Sequence, residues 1–251
     1  MKKLTTRDIR KSQNLQMLTC YDFQTAQLLN ETYIDLLLVG DSLGNVVLGL
    51  DTTVPVTPSM MSLFGQAVRR GAPDKFLIMD MPFGSYITLA QGLRTGTKLM
   101  QTTNAEAVKL EGAHATELAT IKRLTEVGVA VMGHIGLTPQ SVHQMGGYFT
   151  HGKTPDRARE LKEEALRLQD AGCFSLVLEC ITPEISAEIT SALEIPTIGI
   201  GSGEKVRGQV LVTNDLLKMG KHTPPKFVKP IADLYQTRLD LINKYLKEQR
   251  S

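Results

Sequence analysis

The sequence has no apolar run approaching the ~18 residues that a membrane-spanning helix needs. No apolar stretch follows the basic start "MKKLTTRDIRKSQ", so neither a secretory signal nor a membrane anchor is expected. Strong charge of one sign is missing too. The formal net charge is only +2 over 251 residues, with Lys and Arg spread among acidic residues, which argues against nucleic acid or a membrane surface as partner. Cysteine is scarce: Cys20, Cys173 and Cys180 leave an odd count and form no CxxC spacing, so a zinc cluster is not expected and a reducing cytoplasm fits best. No linker or low-complexity run divides the chain, and residues 1–251 are read as one domain.

What is present is a repeating alternation. Short apolar runs, "LQMLTC", "DLLLVG", "KFLIMD", "AVKLEG", "VAVMGH", "FSLVLE" and "PTIGIG", read as strands buried on both faces. Between them lie helical patterns with readable ends. In "TPDRARELKEEALRLQDAG", Thr154 can cap, Pro155 sits first, Ala158, Leu161, Ala165 and Leu168 share a face, and Gly172 supplies the stop. Thr57 before Pro58 and Thr182 before Pro183 repeat that grammar, while Thr88 and Gln91 stand at capping-box spacing. Gly92 and Gly96 weaken the helix that follows Thr88. A last strand is expected near Val210 to Val212, with a closing helix around Ile231 to Lys247. Strand then helix, repeated in this way, signifies a β/α barrel or a doubly wound sheet.

Ligands in such folds bind beyond the carboxyl ends of the strands. The apolar runs end in Asp22, Asp41, Asp80, Glu111, His134 and Glu179. Asp22 is read as a helix cap. Several remaining carboxylates facing one pocket would repel and raise each other's pKa unless a cation joins them. Oxygen donors alone suit Mg²⁺, with Asp41 and Asp80 as direct ligands, a cap being the alternative for each, and Glu111 binding directly or through water. Lys109 and Glu111 share a face by strand alternation. Lys109 could pair with Glu111, hold an anionic substrate beside the metal, or form a Schiff base; the second role is favoured. Glu179 is read as a general base, with a cap or a third metal ligand as alternatives, and His134 as a group near a developing oxyanion. The long polar segment from Ile135 to Pro155 could close over substrate or reach another subunit. His143 and His151 belong to it as loop residues, and His114 and His222 have no evident chemical partner.

Gly40-Asp41-Ser42-Leu43 spells the block that carries the nucleophilic serine in one family of ester hydrolases. Ser42 would then need a histidine and an orienting acid. That family places the acid three residues before a late histidine, whereas here Met219 stands three before His222. The hydrolase reading fails, and the glycines around Asp41 miss the dinucleotide spacing GxGxxG.

Together "TCYDFQTA", "LLLVGDSLGNVVLGLDTTVPVT", "VRRGAP", "MDMPFGSY", "VKLEG", "GHIGLTPQSVHQMGGY", "LVLEC" and "IPTIGIGSG", in this order from about Leu4 to Pro230, resemble the ketopantoate hydroxymethyltransferase family. The resemblance implies a (β/α)₈ TIM barrel of the phosphoenolpyruvate/pyruvate superfamily type, here with a short N-terminal helical segment. It implies transfer of a hydroxymethyl group from 5,10-methylenetetrahydrofolate to 3-methyl-2-oxobutanoate, giving 2-dehydropantoate for pantothenate and coenzyme A biosynthesis. By motif match, Asp41 and Asp80 would bind Mg²⁺ with Glu111 in support, Ser42 and Lys109 would hold the substrate carboxylate, Glu179 would take the proton, and His134 would lie near the keto or hydroxymethyl oxygen. A homo-oligomer, a decamer, is also implied. Ser202, Arg207, Asn214 and Ala113 depart from the family's usual residues, as does "TTNAE". The changes around Arg207 and Asn214 leave a catalytically silent barrel acting in binding or assembly as one alternative, and the likeness of metal and enolate chemistry leaves a related metal-dependent 2-oxo-acid C–C lyase as another.

Overall fold

The computed structural model describes residues 3–250. The chain opens with α1 (Thr6–Lys11), whose first turn is closed reciprocally: Thr5 Oγ1 accepts from the Asp8 N–H, and Asp8 accepts from the Thr5 N–H. The apolar runs form β1 (Leu15–Thr19), β2 (Leu36–Val39), β3 (Phe76–Asp80), β4 (Ala107–Glu111), β5 (Ala130–Gly136), β6 (Ser175–Glu179), β7 (Thr197–Ile200) and β8 (Gly208–Leu211). Consecutive strands pair in parallel and the sheet closes as a barrel, β1 through β8 in order. The doubly wound alternative is thereby excluded. At the seam the Leu15 N–H donates to the Arg207 carbonyl at 2.9 Å.

Around the strands lie α2 (Phe23–Asn30), the short α3 (Leu43–Val46), α4 (Pro58–Gly71), α5 (Leu89–Thr103), α6 (Ala115–Glu126), α7 (Val142–Met145), α8 (Pro155–Asp170) and α9 (Pro183–Ala192). A 3₁₀ turn, Pro139–Ser141, precedes α7. Asp22, Thr57, Thr88 and Thr154 each accept a hydrogen bond from a first-turn N–H, as their positions predict. Thr182 does not; its backbone N–H donates to the His151 carbonyl at 3.0 Å. Gly92 and Gly96, poor helix formers, prove to serve packing. A Cβ on Gly92 would stand 2.5 Å from Thr120 Cγ2, and one on Gly96 2.9 Å from Leu124 Cδ2, so α5 can approach α6 only without side chains there.

Strand residues alternate between two apolar layers. Leu36, Leu38, Phe76, Ile78, Ala107 and Val177 fill the barrel interior with Ile9 of α1, and the Phe76 and Phe174 rings meet there at 5.8 Å. Leu37, Val39, Leu77, Met79, Val108 and Leu110 face the helical layer. Ala107, Lys109 and Glu111 share the inner face of β4 by the same alternation, so apolar filling gives way to charge toward the carboxyl ends of the strands.

The contacts divide the chain into two units, one running to Val210 and one starting at Leu211. The eighth strand, expected near Val210 to Val212, begins earlier, at Gly208. In the second unit, α10 (Thr213–Leu216) precedes α11 (Leu234–Glu248). The closing helix starts three residues later than expected because Asp233 accepts from the Gln236 N–H and caps it. His222, without an apparent partner in sequence, has Nε2 2.6 Å from Asp215 Oδ1. Among the described residues no helix is long and apolar enough to cross a membrane.

Candidate active site

The strand register assembles the site. Asp80 lies opposite Lys109 across β3 and β4, and Glu111 opposite His134 across β4 and β5. Lys109 Nζ is 2.9 Å from Asp80 Oδ1 and 3.9 Å from Glu111 Oε1. Its principal partner is therefore Asp80, not the Glu111 suggested by sequence proximity. Apart from that ammonium, Asp80 Oδ1 is buried without a hydrogen-bond donor. Asp80 Oδ2 accepts the Asp41 N–H at 3.1 Å. Gly40 makes that approach possible, since a Cβ there would stand 3.3 Å from Asp80 Oδ2 and 2.9 Å from Ser42 Oγ.

His134 does not end its strand, which continues through Gly136. Its ring is buried between two acids, with Nδ1 3.3 Å from Glu111 Oε1 and Nε2 3.2 Å from Glu179 Oε2. Burial and the Lys109 ammonium push its pKa down, but the flanking carboxylates outweigh them and raise it to about 9. Nδ1 also lies 3.3 Å from the Lys109 ammonium. Glu179 ends β6 at the open edge of the cluster, with its side chain 17% exposed against 4% for Glu111.

Asp41, Asp80, Lys109 and Glu111 are all nearly inaccessible to solvent. Burial first, and repulsion from Asp80 and Glu111 next, raises the Asp41 pKa well above the ordinary carboxylate range. Burial raises Asp80 as well, against the pull of Lys109. For Glu111 the effect of burial is outweighed by its hydrogen bond to His134, and its pKa falls below the usual value. An acid pushed toward protonation, in a buried group of three carboxylates facing the single Lys109 ammonium, is a donor set short of positive charge. These hard oxygens suit Mg²⁺. Among the described residues no three His, Cys, Asp or Glu side chains close into a preformed cage, so an ion held by Asp41 and Asp80 would take its other ligands from water and substrate.

Ser42 Oγ lies 2.7 Å from the Tyr21 hydroxyl. No histidine supports it as a nucleophile, and with Tyr21 as donor its own O–H is free for an anion. Tyr21 was not singled out in the sequence, although "TCYDF" places it just past the end of β1. Gln140 was missed as well. It is buried; its Nε2 donates to Asp41 Oδ2 at 2.8 Å and to the Met81 carbonyl at 3.0 Å, its N–H donates to Glu111 Oε2 at 3.2 Å, and its Oε1 accepts from the Tyr86 hydroxyl at 2.6 Å. One loop amide thus ties the carboxylates of β2 and β4 together.

Two of the residues that depart from the resembled family have clear structural roles. Ser202 Oγ donates to the Leu178 carbonyl at 2.7 Å and accepts the Ile181 N–H at 3.1 Å, bracketing Glu179. Arg207 precedes β8 and donates to the Glu194 carbonyl at 3.1 Å, at the end of the barrel away from the carboxylates. His151 packs its ring on Phe149 at 4.6 Å and, like His143, stays out of the cluster.

A model of the ketopantoate hydroxymethyltransferase family matches residues 2–251. The chain is 47% identical to 3-methyl-2-oxobutanoate hydroxymethyltransferase of Geobacillus sp. (strain WCH70), covering 95% of this chain and 86% of that one. To the enzyme of the same name from Bdellovibrio bacteriovorus it is 48% identical, over 95% and 90% of the two chains. Among solved structures the fold resembles phosphoenolpyruvate phosphomutase from Streptomyces platensis subsp. rosaceus, with a TM-score of 0.70 at 11% identity and coverage of 98% and 88%. It also resembles 2,3-dimethylmalate lyase, a PEP mutase/isocitrate lyase superfamily member, with a TM-score of 0.64 at 16% identity and coverage of 99% and 89%. The chain belongs to the ketopantoate hydroxymethyltransferase family and is a hydroxymethyltransferase.

Proposed function

We propose that the protein transfers a hydroxymethyl group from 5,10-methylenetetrahydrofolate to 3-methyl-2-oxobutanoate, giving 2-dehydropantoate and tetrahydrofolate in pantothenate and coenzyme A biosynthesis. The observation that carries this reading is the strand-end cluster of Asp41, Asp80 and Glu111 around Lys109, with the more accessible Glu179 joined to it through His134. Asp41 and Asp80 would hold Mg²⁺, with Glu111 contributing directly or through water. When bound, the ion would polarise the 2-oxo group and neutralise charge gathering on its oxygen.

The chain's own groups do the rest. Lys109 has three N–H donors and gives one direction to Asp80, leaving donors for the substrate carboxylate alongside the Ser42 hydroxyl. Glu179 removes the proton from C3, and His134, in contact with it, fixes its position and faces the keto oxygen. The N10–C bond of the folate opens, C3 bonds to the methylene carbon, and the remaining N5–C bond then breaks. One water is consumed: its oxygen becomes the new hydroxyl, and the folate nitrogens regain protons as tetrahydrofolate leaves. The same reading has the enzyme acting in the cytoplasm as a homo-oligomer, with a light-scattering mass near that of ten chains.

The test is proton exchange followed by turnover. Protein with Mg²⁺ and 3-methyl-2-oxobutanoate in D₂O should exchange the C3 hydrogen, and added methylenetetrahydrofolate should yield 2-dehydropantoate. Exchange without folate-dependent product would indicate a C–C lyase, and absence of both with metal present would leave a binding protein.

A further inference from the structure

The chain turns sharply after β7. Gly201 and Gly203 stand at φ +62° and +80°, in the left-handed region that favours glycine, and between them Ser202 is carried into the protein, 1% exposed. A buried hydroxyl needs partners, and this one finds them on the neighbouring strand. Ser202 Oγ donates to the Leu178 carbonyl at 2.7 Å, with the Ile200 carbonyl farther off at 3.3 Å, and it accepts the Ile181 N–H at 3.1 Å. Leu178 and Ile181 enclose two residues, Glu179 and Cys180.

The second of these carries a strained backbone. Cys180 has φ +49°, where its Cβ crowds the following carbonyl oxygen. Such a conformation persists only where the surroundings over-determine it, and it gathers at functional sites. Three main-chain bonds help: the Glu179 carbonyl accepts the Leu137 N–H at 2.8 Å, the Cys180 N–H donates to the Ile200 carbonyl at 2.9 Å, and the Cys180 carbonyl accepts the His151 N–H at 2.7 Å. These survive a change of side chain. Ser202 adds two bonds from one side chain, reaching both ends of the strained segment. The Glu179 carboxylate meets His134 Nε2 at 3.2 Å, but the side chain starts from this backbone and moves with it.

We propose that Ser202 is a positioning residue for proton abstraction at C3: its hydroxyl, spanning the Leu178 carbonyl and the Ile181 N–H, holds Cys180 in the left-handed conformation and so sets where the Glu179 carboxylate meets the substrate. The inference rests on the reading of Glu179 as the general base. Ser202 is among the residues at which this chain departs from the resembled family, so the clamp is a device of this chain.

NMR-monitored C3 exchange in D₂O, run with Mg²⁺ over a range of 3-methyl-2-oxobutanoate concentrations, separates rate from binding. Ser202→Ala should lower kcat for exchange by about tenfold, short of the roughly 10²-fold that a misplacement of about 1 Å can cost because the main-chain bonds remain. KM should stay at its native value, since Ser42 and Lys109, the groups assigned to the substrate carboxylate, belong to the turn after β2 and to β4. Adding Cys180→Gly should recover the rate, because glycine enters the left-handed region without strain; the double variant should exchange within about threefold of Cys180→Gly alone, the non-additivity expected of two residues acting on one segment. Thr103→Val, which removes a buried bond to the Leu99 carbonyl in α5, should lower the melting temperature and keep kcat. A native kcat in Ser202→Ala, or a loss that Cys180→Gly leaves in place, overturns the proposal. Should Ser202→Ala fail to fold, Cys180→Val asks the same question: a branched side chain is disfavoured at positive φ, so kcat should fall with KM kept, and a native kcat there overturns the proposal as well. If Glu179→Gln retains exchange, the reading of the base itself falls and takes the proposal with it.

Discussion

Substituting alanine at Gly136 should injure fold and catalysis together. This residue ends β5 with φ +97°, and a Cβ on it would stand 2.2 Å from the Glu179 carbonyl oxygen and 2.7 Å from Ile181 Cγ1. The first distance is more than about 1 Å inside ordinary contact. The same carbonyl accepts the Leu137 N–H at 2.8 Å, a bond the methyl would pry open. Backbone strain for a side chain at positive φ costs roughly 1–2 kcal/mol, overpacking roughly 1–3 and a lost hydrogen bond roughly 0.5–1.5, together about 3–6 kcal/mol. For a chain of this size that lowers the melting temperature by on the order of 10 °C. The displaced backbone belongs to Glu179, and a misplacement of about 1 Å can cost on the order of 10²-fold in rate. Gly128→Ala is the control: φ there is +91°, but nothing lies within 4 Å of the added Cβ. It should show the conformational penalty alone, with C3 exchange retained. Urea unfolding and NMR-monitored C3 exchange in D₂O measure both effects. Equal stability and equal exchange in the two variants would refute the steric argument.

Three further outcomes are expected. Asp80→Ala should abolish the Mg²⁺-induced rise in melting temperature, whereas Glu179→Gln should keep that rise and lose C3 exchange; equal loss of metal response in both would overturn the division of roles. Gln140→Leu removes the donor to Asp41 and the acceptor for Tyr86, so it should destabilise the protein by about 1–3 kcal/mol in urea titrations and weaken Mg²⁺ binding in calorimetry. Burial raises the thiols of Cys20 and Cys173 to about 12, and burial with the nearby Glu179 does the same for Cys180. All three stay protonated at pH 8, since that lies below each raised pKa, and a disulfide reagent should label the native protein slowly and the urea-unfolded protein at once; rapid native labelling would contradict the burial.

The barrel was legible because its signals are local. A run such as Leu36 to Val39, buried at every position, announces a strand covered on both faces, and Thr154 with Pro155 announces the start of α8. The acids of the site were legible because each stands at or just beyond the end of a strand. Their partners were not, since partners depend on register between strands. Lys109 and Glu111 are two apart in sequence, yet Lys109 lies closer to Asp80 because the stagger of β3 and β4 sets those two side by side. Gln140 is harder still: it reaches Asp41 across 99 positions of chain, from a turn whose polar composition only suggested a lid. Thr182 stands at a capping position in sequence, yet its side chain makes no cap bond in the fold.

The ammonium of Lys109 also bears on the order of events in the life of the molecule. Three acids gathered at one barrel mouth would otherwise have to be brought together against their mutual repulsion each time a new chain collapses. A lysine carried on β4 supplies counter-charge from within the sequence, so the mouth can form as soon as β3 and β4 pair. Loading with the proposed ion would then be separable from folding, since the mouth is already assembled around the Lys109 ammonium.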